Sequence, residues 1–149
     1  MSAKHAFVIM IQDKWWSEFC KSNHSGKRTH SYVRLGLAPP KEASLLLFYV
    51  TKPVGQITGY AEFIERRVAD PETLWQEYGC ETVLDSREKY AEFVGDRRRV
   101  SFIRFKNLHE ATKPIPLSNI LLFLGIKRLA RIGFYLDKET TDELITMME

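Results

Sequence analysis

The sequence predicts an α+β fold class, in which a mixed β-sheet is flanked by short helices. Apolar strand-like runs are scattered among short, irregularly spaced helical segments rather than arranged as repeated βαβ units. Two of these runs, Leu45–Val50 and residues 57–64, flank a turn at residues 51–55 and predict a hairpin, with a bulge or close backbone approach at Gly59. Because the 149 residues contain no repeat, linker or low-complexity segment, we expect a single domain over residues 1–149.

The composition is that of a globular protein with a mild basic excess. Hydrophobic residues make up 44% and charged residues 28%, and 22 basic against 19 acidic residues give a net charge of +3. The longest apolar run, residues 120–124, is far too short to cross a bilayer. Two cysteines make no disulfide framework, and the N-terminus has no signal-peptide pattern. We therefore expect a cytoplasmic protein that does not bind a membrane.

The first elements follow from short local patterns. The apolar run Ala6–Ile11 predicts a buried strand, and Asp13 is placed to cap a helix that ends near residues 22–23. A second strand is expected at residues 29–35, followed by a turn at residues 36–40.

Two helices are indicated in the middle of the chain. Asp70 precedes a proline and an acidic residue, which is the order expected at a helix start, and Gly79 lies at the other end. Asp85 begins a segment with the spacing of a capping box, and Gly95 ends it.

The last third of the chain alternates strands and helices. Residues 98–105 predict a strand, after which Pro114 and Pro116 are expected to break the chain before a short helix at Leu117–Leu124. A final strand is expected at residues 132–136, and a terminal helix begins at Asp137 or Thr140 and runs through Met147.

Cations are concentrated in two places that suit phosphate. The basic loop, residues 25–34, contains Lys27, Arg28 and Arg34, and Gly26 would let backbone amides approach an anion. A run of arginines, Arg97, Arg98 and Arg99, lies at the start of a predicted strand and could follow a nucleic-acid backbone. The alternative for both clusters is a solvent-exposed turn.

Aromatic and polar residues near these cations suit a nucleobase. The predicted stacking faces are one of the adjacent Trp15 and Trp16, which cannot share the centre of one buried stripe, together with Tyr49 or Tyr60. Ser31 and Glu62 are predicted to contact the base edge, where a carboxylate suits the amino group of cytosine or adenine.

Metal ligands and cofactor motifs are weakly represented. Cys20, His24 and His30 have a loose ligand spacing, and only Cys80 or a distant histidine would complete a zinc site. We therefore expect neither a metal nor a cofactor.

The order of strand, helix, basic loop, hairpin, helical insert and strand resembles the PUA-like superfamily of pseudo-barrels. The likeness is strongest to its ASCH and EVE-type branches and to an uncharacterised, mostly archaeal family of the same group. It rests on three elements: Ser25-Gly26-Lys27-Arg28-Thr29, the hairpin within residues 46–61, and Pro114-Ile115-Pro116-Leu117. The resemblance implies a mixed β pseudo-barrel.

The resemblance also implies a function and an alternative. Members of the superfamily mostly bind RNA or modified bases, often as part of a larger RNA-processing assembly, so the first expectation is a binding module with RNA or a modified nucleotide as partner. Some ASCH members are amidohydrolases of an acylated nucleoside, and their lysine and threonine would match Arg28 and Ser31. Because arginine does not act as a base, that alternative needs Lys27 as base, with Ser31 or Thr29 as nucleophile and Glu62 as the orienting residue. A third possibility is a protein-interaction subunit anchored by Trp16 or Trp75.

Overall fold

The computed structural model describes residues 4–149, which form one six-stranded sheet and five α-helices. The strands are β1 (Ala6–Ile11), β2 (Thr29–Arg34), β3 (Leu45–Val50), β4 (Gln56–Ala69), β5 (Val100–Pro116) and β6 (Phe134–Leu136). The helices are α1 (Asp13–His24), α2 (Pro71–Tyr78), α3 (Arg87–Val94), α4 (Leu117–Leu124) and α5 (Lys138–Met148), and a short 3-10 helix spans Gly79–Glu81.

The sheet is mixed, which confirms the predicted fold class. Its strand order is β2-β5-β4-β3-β1-β6, so β2 and β6 are the two edges. The pair β1–β3 is parallel, and the other four pairs are antiparallel. The parallel pair is possible because α1 and β2 lie between β1 and β3 in the sequence and provide the crossover.

Helices cover both faces of the sheet. Helix α1 buries Trp16, Phe19 and Cys20 in a core cluster that also contains Phe48 and Phe105. Helices α4 and α5 pack on a second cluster with side chains of β1, β3 and β6. The segment from α2 through α3, residues 71–94, is called the insert below, and it packs on a third cluster near β2 and β5.

Helix N-termini were predicted well where a single polar side chain caps the helix. Asp70 accepts a hydrogen bond from the Thr73 amide, so that predicted cap is confirmed. Of the two predicted starts for the last helix, Asp137 is the cap, because it accepts a hydrogen bond from the Thr140 amide. Asp13 was wrong as a cap, because the cap position of α1 is Gln12 and Asp13 is already helical. The cap of α3 is Ser86, one residue after the predicted Asp85.

The two central strands are longer than the sequence predicted. The expected break at Pro114 and Pro116 was wrong, since β5 continues to Pro116, which pairs with Gln56 of β4. Strand β2 ends its pairing with β5 at Lys106. Beyond that point β5 has β4 as its neighbouring strand on one side only, and such a sheet edge is where prolines are tolerated.

Gly59 in β4 lies where the predicted close approach occurs. The β4–β5 register shifts between Ile57 and Gly59, as it does at a bulge. A Cβ atom at Gly59 would lie 2.7 Å from the Trp16 ring and would also collide with the His109 carbonyl. The glycine therefore lets the Trp16 ring of α1 and the β5 backbone both lie close to β4 at this position.

Candidate functional site

The basic loop begins with a tight end to α1. Gly26 has a φ of 102°, a left-handed value that suits glycine. The Gly26 amide donates to the Asn23 carbonyl and the Lys27 amide to the Ser22 carbonyl, both at 3.1 Å. These amides are occupied by the helix end, so the expectation that they would approach an anion was wrong. At Lys27 an anion contact must therefore come from the side chain.

The loop faces an open cavity of about 450 Å³, which we call the loop cavity. It is lined by Asn23, Gly26, Lys27, Arg28, Asn107, Leu108 and His109. Arg28 is exposed, while Lys27 is half-buried and its Nζ donates to the Thr82 carbonyl at 3.4 Å. Two of the predicted phosphate-binding cations therefore share one cavity.

Strand β5 supplies the opposite wall of the loop cavity. Asn107 has a φ of 52°, a left-handed value that asparagine tolerates better than most residues, and its amide donates to the Glu62 carboxylate. The His109 ring stacks on the Tyr60 ring, with centroids 4.9 Å apart and planes 19° apart. Tyr60 and Glu62 are thus connected to the cavity through Asn107 and His109.

Asn107 and His109 were not predicted as site residues. An asparagine inside a strand-forming run is a weak sign of irregular backbone, and that signal could have marked Asn107. The position of His109 depends on the register of β4 and β5, which pairs it with Tyr60. Nothing local to His109 in the sequence shows that pairing.

A buried histidine lies near the loop cavity. Asn23 donates from Nδ2 to the Leu108 carbonyl at 3.2 Å, and its Oδ1 lies 3.5 Å from His30 Nε2. The His30 side chain is fully buried, its ring stacks on Phe105, and its Nδ1 has no hydrogen-bond partner among residues 4–149. Burial, helped by the nearby Lys27 cation, lowers the pKa of His30 to about 4. The imidazole is therefore neutral at pH 7.

Two of the predicted stacking residues have their rings covered. Trp16 is 7% exposed and packs on Phe48, with ring centroids 5.1 Å apart. Tyr49 is 6% exposed in the cluster beneath α4 and α5. Neither ring can receive a base without rearrangement of the core. Trp75, the other anchor considered for a partner protein, stacks on Tyr90 with centroids 4.6 Å apart.

The remaining predicted residues lie at the other end of β2. Trp15 and Arg34 line a cavity of about 410 Å³, the strand-end cavity, together with Tyr32 and Phe93. One nitrogen of the Arg34 guanidinium is already engaged, since Nη1 donates to the Pro39 carbonyl at 2.7 Å. Burial lowers the pKa of Arg34 below its usual value.

The two basic clusters do not converge. Thr29 pairs with Lys106 beside the basic loop, while Arg34 pairs with Ser101 next to the exposed Arg97, Arg98 and Arg99. Five residue steps of an extended strand separate these ends, a distance of about 17 Å.

Ser31 belongs to a polar network beneath the insert, and the sequence did not predict its partners. Its hydroxyl donates to Glu81 at 2.8 Å, and Arg104 binds the same carboxylate through two nitrogens at 2.9 and 3.1 Å. Arg104 also donates to Glu65 at 2.6 Å, and its guanidinium lies 4.1 Å from the centroid of the Tyr78 ring. The hydrogen bonds to Glu81 raise the pKa of Arg104 above its usual value.

Solved structures with the same architecture include ZmASCH from Zymomonas mobilis. A serine-to-alanine mutant of ZmASCH superposes with a TM-score of 0.76 at 23% identity, covering 99% of each chain. ZmASCH without a stated mutation gives a TM-score of 0.73 over 95% of this chain and 94% of that one, also at 23% identity. The chain has the ASCH fold. The resemblance inferred from the sequence is confirmed at the level of the fold.

Other comparisons add less to the ASCH assignment. Rpa0253 from Rhodopseudomonas palustris matches with a TM-score of 0.53 at 10% identity, over 96% of this chain and 92% of that one. A 95-residue stretch, 64% of the chain, is 25% identical to ATP synthase subunit alpha from Ureaplasma parvum, and the chain spans 12% of that relative's length. No protein-family profile matches the chain.

Residues 4–149 contain neither a metal-ligand cluster nor a membrane-spanning helix. No group of three or more histidine, cysteine, aspartate or glutamate side chains in that range is placed to hold a metal ion. No helix in the same range has both the length and the apolar character needed to span a bilayer.

Proposed function

We propose that this chain binds single-stranded RNA or a modified nucleobase at the loop cavity. The observation that carries the proposal is the composition of that cavity, where Lys27 and Arg28 face Asn107 and His109 across about 450 Å³. The cations can bind phosphate, the asparagine amide can hydrogen-bond to the edge of a base, and the flat histidine ring can stack on its face.

In this proposal Arg28 and Lys27 hold the phosphate by their side chains. Arg28 makes no hydrogen bond or ion pair within residues 4–149, so its guanidinium is available for bidentate contact with phosphate oxygens. Lys106, which pairs with both Thr29 and Glu62, adds a third exposed cation at this end of the sheet.

The base is received by the β5 wall of the cavity. The exposed His109 ring, supported from behind by Tyr60, offers the stacking face, and this replaces Trp16 and Tyr49 in that role. Asn107 offers a hydrogen-bond donor and the neighbouring Glu62 an acceptor. A base whose edge carries an amino group next to an acceptor can bind both. Stacking on a flat face favours an unpaired base over a duplex.

Hydrolysis of an acylated nucleoside receives less support. Neither nucleophile of that alternative, Ser31 or Thr29, lines the loop cavity, and the Ser31 hydroxyl donates to Glu81 beneath the insert. The Ser31 hydroxyl is buried and held by a carboxylate that Arg104 already neutralises. Ser31→Ala should therefore leave RNA affinity within about twofold, whereas a hydrolase would lose turnover by orders of magnitude.

The test is fluorescence anisotropy of labelled single-stranded RNA, titrated with the protein from low to physiological salt. Affinity should fall as salt rises, with a slope of about −0.7 for each phosphate contacted. Arg28→Gln should weaken binding and reduce that slope by the contribution of one contact. The matched control is Arg128→Gln, which removes another exposed arginine from a different part of the surface.

Two results would contradict the proposal. One is equal loss of affinity in Arg28→Gln and Arg128→Gln, because net charge rather than the loop cavity would then explain binding. The other is absence of binding at low salt both to RNA and, in competition, to a panel of modified nucleosides.

A further inference from the structure

A surface on the α4 side of the molecule exposes apolar side chains that a globular protein normally buries. Leu122 in α4 is 85% exposed, and Ile126 and Ile132 in the segment that follows are 42% and 59% exposed. Phe123 is also exposed, so four of the six large exposed apolar residues within residues 4–149 lie between positions 122 and 132. Such clustering marks a contact surface more often than scattered single residues do.

The same segment carries only positive charge. Lys127, Arg128 and Arg131 are exposed, and none makes a hydrogen bond or ion pair with another side chain of residues 4–149. The sequence contains no aspartate or glutamate from Ala111 to Leu136. We define the α4 surface by three apolar and three basic residues: Leu122, Ile126, Ile132, Lys127, Arg128 and Arg131.

The α4 surface is held in place from both ends. Ile120 anchors α4 in the core with no exposed area, and Gly125, at a φ of 68°, ends the helix. The Ile126 amide donates to the Leu121 carbonyl at 3.1 Å, and the Gly133 amide to the Ala130 carbonyl at 3.0 Å. The apolar side chains are therefore presented outward by anchored backbone.

Contrary to the expectation from the sequence that the protein does not bind a membrane, we propose that the α4 surface docks on an anionic lipid bilayer. Apolar side chains can enter the boundary between headgroups and acyl chains, while neighbouring lysine and arginine side chains contact the lipid phosphates. Lys127, Arg128 and Arg131 line one open cavity together with Leu117 and Leu121 of α4, so the basic side chains lie beside apolar ones.

The charge of this surface argues against two other occupants. The phosphates of RNA would pair with the cations, but RNA offers no apolar environment in which Leu122 and Ile132 could be buried. A second copy related by a two-fold axis through this surface would bring Lys127, Arg128 and Arg131 of both copies together, with no carboxylate from the segment to compensate.

The test is co-sedimentation with vesicles of phosphatidylcholine alone and of equal parts phosphatidylcholine and phosphatidylglycerol. Wild-type protein should bind the anionic vesicles and lose affinity as salt rises. Replacing Lys127, Arg128 and Arg131 together by glutamine should weaken binding on the order of a hundredfold. Leu122→Ser combined with Ile132→Ser should weaken it about tenfold or more.

The matched control replaces Arg97, Arg98 and Arg99 by glutamine, which removes the same charge from the other end of the sheet. It should leave vesicle binding within about twofold, and circular dichroism checks that all variants fold. Both α4-surface variants should keep wild-type RNA affinity, so a failure here is distinguishable from a failure of the proposed function.

Three results would overturn the proposal. The first is no sedimentation with anionic vesicles at low salt. The second is an equal loss of vesicle affinity in the two triple-glutamine variants, because net charge rather than the α4 surface would then explain binding. The third is a stable dimer by light scattering that the Leu122→Ser and Ile132→Ser double variant disrupts, because a second copy would then be the occupant.

Discussion

At the scale of single residues, His30 illustrates how the core sets the charge of a side chain beside the candidate site. Its ring packs against Phe19 and Phe105, with centroids 5.8 and 5.2 Å away, and one ring nitrogen is unpartnered within residues 4–149. Protonation would place a cation in an apolar cluster next to Lys27. The fold therefore holds this histidine neutral, and its stability depends on pH for that reason.

We expect the free energy of unfolding to decrease as the pH falls from about 6.5, the usual pKa of histidine, to about 4, the pKa in the fold. In this window the unfolded chain binds the proton and the folded chain does not, so acid favours unfolding, by up to about 3 kcal/mol. Below pH 4 this contribution levels off. Urea denaturation at a series of pH values measures it.

The control for His30 is His30→Phe, which keeps an aromatic ring in the cluster but cannot titrate. The difference in stability between wild type and variant should change across pH 6.5 to 4. A difference that stays constant over this range would show that His30 does not titrate as inferred.

Gly59 is a second residue whose neighbours determine its identity. Gly59→Ala would put a methyl group 2.7 Å from the Trp16 ring and against the His109 carbonyl, so we expect destabilisation of about 1–3 kcal/mol or more. Gly36→Ala is the matched control, because a Cβ there has nothing within 4 Å. Equal urea midpoints for the two variants would contradict the inferred close approach.

At the scale of elements, the insert is fastened to the sheet by the network around Glu81. Arg104 of β5 is 16% exposed and Glu81 of the 3-10 helix is 14% exposed, so their bidentate pair is shielded from water. Ser31 of β2 adds a hydrogen bond to the same carboxylate. One side chain of the insert thereby joins two strands.

Glu81→Gln should destabilise the protein by about 1–3 kcal/mol, since it leaves Arg104 with weaker acceptors while preserving the side-chain shape. Hydrogen exchange should increase in residues 71–94 more than in the central strands. The control is Glu77→Gln, in an Arg67–Glu77 pair whose side chains are each 42% exposed and whose loss should cost less than about 1 kcal/mol. If the two variants lose equal stability, the network does not fasten the insert.

The elements also show which features the sequence could predict. The caps at Asp70 and Asp137 depend on residues three positions away, so local spacing was enough to find them. The extension of β5 through Pro116 depends on β4, and the Ser31–Glu81 hydrogen bond joins residues 50 positions apart. Neither feature has a local signal.

At the scale of the whole molecule, the sheet register determines which predicted site residues meet. Lys27 and Arg28 line the loop cavity, and Tyr60 and Glu62 contact its His109 and Asn107. Trp15, Arg34 and the three consecutive arginines lie at the other end of β2. The sequence identified residue types suited to nucleic acid. It could not place them in two groups, because that division follows from the pairing of β2 with β5.

A ligand that contacts both ends of β2 must span about 17 Å, so we expect RNA affinity to increase with oligonucleotide length until several nucleotides are present. Replacing Arg97, Arg98 and Arg99 by glutamine should weaken binding of long oligonucleotides and leave mononucleotide binding unchanged. Anisotropy across a length series measures both effects. If the triple variant binds long and short ligands as wild type does, the strand-end cations lie outside the binding path.

The pairing of β1 with β6 has a consequence for how the protein is made. Residues 6–8 align with residues 134–136, so the outer ladder of the sheet joins segments well over a hundred positions apart. During synthesis at the ribosome, β1 can pair with β3 early, but its other edge stays open until most of the chain has emerged. Nascent chains should therefore pass through a stage in which an apolar strand is accessible to chaperones or to neighbouring chains. Completion of β6 ends that vulnerable stage.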